Sequence, residues 1–191
     1  MTFDPARDRA RLREILLSKS VRFGDFQLAS GERSDVYVDC KPTTCSAEAM
    51  PLVGRLFLDK MRERGWAPKA AGGLMIGAEP ISFAIARESL ETGGHIDAFI
   101  IRKERKSHGT QKVVEGLAAT DGLPVVIVED VCTKGGSTAL AVEHALSAGM
   151  MVLGAICLVD REQGASDLLS GRFGCALESI FKLSELRTAR G

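Results

Sequence analysis

With 191 residues, 45% of them hydrophobic, the chain has room for one α/β domain with a sizeable core. Its 25 Lys+Arg balance 25 Asp+Glu, so no global charge favours nucleic acid as a partner. Five scattered cysteines (Cys40, Cys45, Cys132, Cys157 and Cys175) without a C-x-x-C pair argue for free thiols in a reducing compartment and against a disulfide frame or zinc site, and no apolar run reaches membrane length.

The first nine residues are too charged for a signal peptide, which with the free thiols gives a cytoplasmic expectation. Asp4 is placed to cap a first helix that opens on Pro5, with Leu12, Ile15 and Leu16 on its apolar face. Over residues 21–41, Phe23, Phe26, Leu28, Val36, Tyr37 and Val38 are separated by Gly24, Ser30-Gly31 and Ser34-Asp35, which predicts short antiparallel strands with a turn. A second helix is expected over 46–64, closed by Gly65. Its Leu52, Val53, Leu56, Phe57 and Met61 face more than one side, so it should be well buried.

From residue 70 the pattern alternates. A strand is expected over 70–74, a turn over 75–78, a helix from Glu79-Pro80 to about Leu90, and a strand over 97–101. A basic segment follows, then Val113-Val114 as part of a hairpin, then a turn at Asp121-Gly122. Val125-Val126-Ile127-Val128 reads as a fully buried strand, residues 138–142 as a helix ended by Gly149, and 152–159 as a further strand ending at Asp160-Arg161. The order implies an α/β fold: a mostly parallel sheet with helices on both faces. Ligands then bind beyond the carboxyl ends of the strands, which puts the turns at 73–80, 102–108 and 129–137 on one rim.

The run Glu129-Asp130-Val131-Cys132-Thr133-Lys134-Gly135-Gly136-Ser137 carries the first chemical signal. Two adjacent carboxylates suit no core, so they are expected just past the strand's end. Gly135-Gly136 lets backbone N–H groups approach a ligand, and Ser137 can cap the following helix. Strand, glycine turn and helix N-terminus together favour a phosphate. The carboxylates would repel a triphosphate, whereas ribose hydroxyls can donate to them, so a sugar phosphate satisfies both halves. An ordinary turn with a solvated acidic pair is the bland alternative. Neither a Walker A spacing nor G-x-G-x-x-G is present.

The second signal is Arg102-Lys103-Glu104-Arg105-Lys106-Ser107-His108-Gly109-Thr110-Gln111-Lys112, five cations against one anion. It lacks apolar periodicity and reads as a loop. A solvated charge run and a pyrophosphate-binding loop both fit. Nucleic acid fits less well, because no aromatic residues are interleaved.

Residues 129–137 resemble the phosphoribosyl pyrophosphate (PRPP) motif of the type I phosphoribosyltransferases, and Arg102-Lys103-x-x-Lys106-x-His108-Gly109 is similar to the loop of the orotate phosphoribosyltransferase family. The turn over 73–80, the stretch over 30–39 and the ending Val159-Asp160-Arg161 extend the likeness along nearly the whole chain. The resemblance implies the type I fold, with a helix and small base-covering hood over 1–45 and a PRPP-binding core over 46–191. It implies transfer of the phosphoribosyl group from PRPP to orotate, in the route to UMP, with Mg²⁺ held by phosphates and water and no protein metal site. It also implies a homodimer whose active sites share the loop.

By the same resemblance, Lys106, His108 and Asp130 form the catalytic set. Arg102, Lys103, Lys106 and His108 contact pyrophosphate; Glu129 and Asp130 hold the ribose hydroxyls; Val131 and Cys132 line the ligand; and Thr133, Lys134, Gly135, Gly136 and Ser137 surround the 5-phosphate. Thr133 and Arg161 contact orotate. His108 is either a phosphate donor or a proton donor, and Arg161 without the resemblance could equally belong to a surface turn with Asp160. Relatives often carry lysine where this chain has Ala29 and Gly77, and Lys41 and Lys134 are candidates to replace that charge. A transferase for another base and a non-catalytic PRPP sensor are the alternatives. Arg161 and the hood argue against the first, and the single helix before the hood argues against the second.

Overall fold

The computed structural model describes residues 4–27, 31, 33–103 and 112–187. Helix α1 (Pro5–Lys19) starts where expected: Asp4 Oδ1 accepts the Arg7 N–H at 3.1 Å, and Leu12, Ile15 and Leu16 are buried. Strands β1 (Val21–Gln27) and β2 (Arg33–Val38) form a separate antiparallel ribbon, with an irregular register between Phe23 and Phe26. Helices α2 (Lys41–Thr44) and α3 (Met50–Glu63) follow. The helix expected over 46–64 therefore starts later and follows a separate turn of helix. Pro42 and Pro51 each stand near the start of their own segment, where a missing N–H costs nothing. Leu52, Val53, Leu56, Phe57 and Met61 are buried as expected.

Strand β3 (Ala70–Leu74), α4 (Glu79–Glu91), β4 (Asp97–Ile101), β5 (Val114–Glu115), β6 (Pro124–Cys132), α5 (Gly136–Ser147), β7 (Met151–Asp160), α6 (Ala165–Phe173), β8 (Leu177–Lys182) and α7 (Leu183–Arg187) complete the chain. The six-stranded sheet has the order β5-β4-β3-β6-β7-β8 and is parallel except for β5. Strand β6 alternates between two cores. Val126 and Val128 pack with α1, α3 and α4, while Val125 and Ile127 pack with α5. Both faces are covered, which is why its sequence reads as one unbroken apolar run.

The chain winds outward from β3 in one direction and from β6 in the other. The switch in order falls between these two strands, where an open α/β sheet leaves a crevice beyond the strand ends. The turn after β3 and the turn after β6 are therefore neighbours.

One expectation is corrected. Glu129 and Asp130 do not follow the strand; they lie within β6, 6% and 8% exposed. The parallel ladder with β7 runs on past the apolar residues, pairing Glu129 with Cys157, Val131 with Val159 and Cys132 with Asp160. Backbone pairing sets the strand's length, and side-chain charge does not interrupt it.

The C-terminal elements fasten the N-terminal ones. Arg9 Nη2 donates to Ile180 O and to Glu185 at 3.0 Å, and Arg187 grips Asp35 of β2 through two 2.7 Å bonds. The ribbon is thus held over the carboxyl ends of the strands.

Candidate active site

Glu129 and Asp130 form the floor of the crevice. The Asp130 N–H donates to Glu129 Oε1 at 3.2 Å, and the Val131 N–H donates to Asp130 Oδ1 at 2.9 Å. The opposite wall is the turn after β3. A Cβ on Gly77 would stand 2.5 Å from Asp130 Oδ1 and 2.8 Å from Glu129 Oε1, so the acid pair occupies the space any side chain at 77 would need. Burial, and then the charge of Asp130, push the Glu129 carboxyl up to about 9. At neutral pH Glu129 keeps its proton, and the pair avoids carrying two buried charges side by side.

This has a sign that can be checked. The fold binds the Glu129 proton more tightly than the unfolded chain does, so stability falls as pH rises from the ordinary carboxylate range towards 9. Urea unfolding of the wild type and Glu129→Gln should therefore diverge over that window. The variant should gain on the wild type by up to about 1.4 kcal/mol for each pH unit. Parallel stability profiles would contradict a protonated Glu129.

The phosphate turn lies one step further along. Gly135, at φ 80°, is the residue before α5, and no side chain caps the helix. Ser137 is thus not the cap expected from sequence. It lies inside the first turn, because Gly135 takes a left-handed conformation that closes the loop two residues earlier. The opening N–H groups of α5 have no partners within the helix and are available to an anion. Thr133 is half-buried, while Lys134, Gly136 and Ser137 are exposed. Cys132 is buried, its Sγ 3.0 Å from Thr138 Oγ1, and its thiol is drawn below the ordinary value chiefly by the neighbouring Cys157 thiol. It packs beneath the turn, and its thiol is closed off from solvent.

Arg161, at the end of β7, is tied to the same turn: its backbone N–H donates to Cys132 O at 2.8 Å. Its Nη2 reaches Ser34 Oγ of β2 at 3.5 Å, and its Nε is buried with no hydrogen-bond partner. A buried guanidinium N–H without a partner is suited to a carboxylate. Thr133, Arg161, Glu129 and Asp130 are therefore gathered at one rim. Sequence reasoning passed over the Arg187–Asp35 grip that holds the ribbon, because neither residue carries a local pattern.

The basic segment leaves β4 and returns through β5. Arg102 donates Nε to Glu115 Oε1 at 3.1 Å and its backbone N–H to Val113 O at 2.9 Å, which fixes the stem; Lys103 is exposed. Lys106 and His108 lie outside the described residues. Among the described residues, no group of three His, Cys, Asp or Glu could hold a metal, and no helix is long and apolar enough to cross a membrane.

Residues 52–181 match the family model described as the phosphoribosyl transferase domain. The chain is 39% identical over 180 residues to the orotate phosphoribosyltransferase of Thermosynechococcus vestitus, covering 93% of this chain and 92% of that protein. It is 38% identical over 182 residues to that of Aquifex aeolicus, covering 94% and 97%. Its fold matches the crystal structure of Mycobacterium tuberculosis H37Rv orotate phosphoribosyltransferase in complex with 5-phospho-α-D-ribosyl 1-diphosphate, at a TM-score of 0.76 and 31% identity over 94% of this chain and 99% of that one. The architecture is the type I phosphoribosyltransferase fold. An acid pair set against a glycine turn, on a chain this similar to its relatives from end to end, leaves one assignment: the chain belongs to the phosphoribosyltransferase family and, within it, to the orotate phosphoribosyltransferases.

Proposed function

We propose that the protein transfers the 5-phosphoribosyl group of PRPP to orotate, giving orotidine 5′-monophosphate and pyrophosphate. The observation that carries this reading is the buried Glu129–Asp130 pair beside the uncapped start of α5. The pair accepts the ribose 2- and 3-hydroxyls, while the turn over 133–137 takes the 5-phosphate through its N–H groups. The free Nε of Arg161 takes the orotate carboxylate, under the β1–β2 hood.

Displacement at C1 builds positive charge on the sugar and negative charge on the leaving diphosphate. The Asp130 carboxylate stabilises the first, and the cations of the 102–112 segment, Lys106 and His108 among them, stabilise the second. Mg²⁺ would neutralise diphosphate charge when bound. Asp130 is the ionised carboxylate at the crevice and could approach such an ion, with the ligands themselves coming mainly from phosphate and water. The protein works as a cytoplasmic homodimer. The exposed apolar side chains of Phe83 and Leu90, two turns apart on α4, with Ile76 beside the helix start, supply a surface for a second copy.

The test is to mix protein, PRPP, Mg²⁺ and orotate and follow orotate absorbance. A fall in absorbance that hypoxanthine or adenine does not compete away supports the assignment. No change at high enzyme concentration, or turnover only with a purine base, would end it.

A further inference from the structure

The mechanism above leaves Lys41, a cation at the crevice, unused. Lys41, the first residue of α2, donates from Nζ to Asp39 Oδ1 at 2.9 Å, and the same Nζ lies 3.6 Å from Asp130 Oδ2. The backbone N–H of Lys41 donates to Asp39 Oδ1 at 3.2 Å, so Asp39 aims the side chain as well as pairing with it. The Asp39 bond, with the charges of Asp130 and Asp39 added, holds the ammonium above its ordinary value. The side chain is 49% exposed against 11% for Asp130, so an ammonium open to solvent stands over a buried acid. A cation at position 77 would need the two carboxylates to move aside, because their oxygens stand where its Cβ would come.

Stereochemistry decides what that ammonium can reach. In an α-ribosyl diphosphate the C1 oxygen is cis to the 2- and 3-hydroxyls. A carboxylate that accepts those hydroxyls lies on the leaving-group face of the sugar, and the base attacks from the opposite face. A cation beside Asp130 is therefore on the diphosphate side. We infer that Lys41 is a substrate-contacting residue for the diphosphate of PRPP: it rests on Asp130 in the free protein and passes to the diphosphate when ribose hydroxyls take its place. The inference rests on the acid pair holding the ribose, and it assigns a leaving-group contact outside the 102–112 segment.

Calorimetric titration with PRPP and with ribose 5-phosphate, both in Mg²⁺ buffer, separates the possibilities. Lys41→Met should weaken PRPP by about tenfold or more, the scale of one partly exposed charge contact, and leave ribose 5-phosphate within about twofold. Lys41→Arg should restore most of the PRPP affinity. Equal weakening of both ligands would make Lys41 a mere prop for Asp130 and overturn the inference, as would no change in either. Asp130→Asn reports separately on the acid pair: it should weaken ribose 5-phosphate. If it does not, the ribose placement itself has failed and both readings fall together.

Discussion

Asp130→Ala should lower orotate turnover by at least about a hundredfold while leaving the fold as stable as before, or more so. The two halves of this expectation have one cause. Asp130 is a buried carboxylate held by the Val131 N–H and set beside a second carboxyl, an arrangement that serves a ligand better than it serves the fold. Its charge helps to raise the Glu129 carboxyl, and Gly77 is backed against it with no room to spare. Truncation removes a buried charge and opens space for water. On the proposed mechanism it also removes the group that orients the ribose and faces the charge developing at C1. Turnover followed by orotate absorbance, together with the urea midpoint at pH 8, checks both halves. Activity within tenfold of wild type would remove Asp130 from the chemistry. A large stability loss would recast it as a structural anchor.

The parts of this design that sequence made legible are those with a local signature. Val125 to Val128 stand out as four consecutive apolar residues, and the structure buries all four between two cores. Asp4 and Pro5 announce α1 because capping involves only the next turn. The rim was legible from chain order, since alternating strands and helices place the turns after β3 and β6 together. What escaped depends on distant partners. The acid pair was expected outside the strand because its side chains argue against burial, and only the ladder with β7 shows that the backbone continues. Helix α6, strand β8 and helix α7 went unread because Leu168-Leu169 and Leu177–Lys182 are too short to show a period. Lys41 was one of two candidate cations until the 3.6 Å approach to Asp130 placed it at the crevice.

Lys106→Ala is expected to cut kcat by about a hundredfold or more while changing the KM for orotate only a few-fold, because its partner charge grows as the diphosphate departs. Equal losses in both would assign it to binding. Where that lysine acts is a separate question, and the sheet bears on it. The segment that carries Lys106 springs from β4 and β5, at one edge of the sheet, and its stem is pinned by Arg102 on Glu115. The acid pair is on β6, three strands in from β5, about 14 Å at ordinary strand spacing. The same half of the sheet is covered by α4, whose Phe83 and Leu90 are exposed. In the proposed homodimer, a second copy packed on that face would lie beside the edge from which the segment springs. Mixing Lys106→Ala with Asp130→Ala protein then has a definite outcome. Each heterodimer would rebuild one intact site, with Asp130 from one subunit and Lys106 from its partner. An equimolar mixture at exchange equilibrium should regain about a quarter of wild-type activity, since half the dimers are mixed and each has one working site. If each subunit serves its own crevice, every site in the mixture lacks one group, and activity stays at the level of the separate variants.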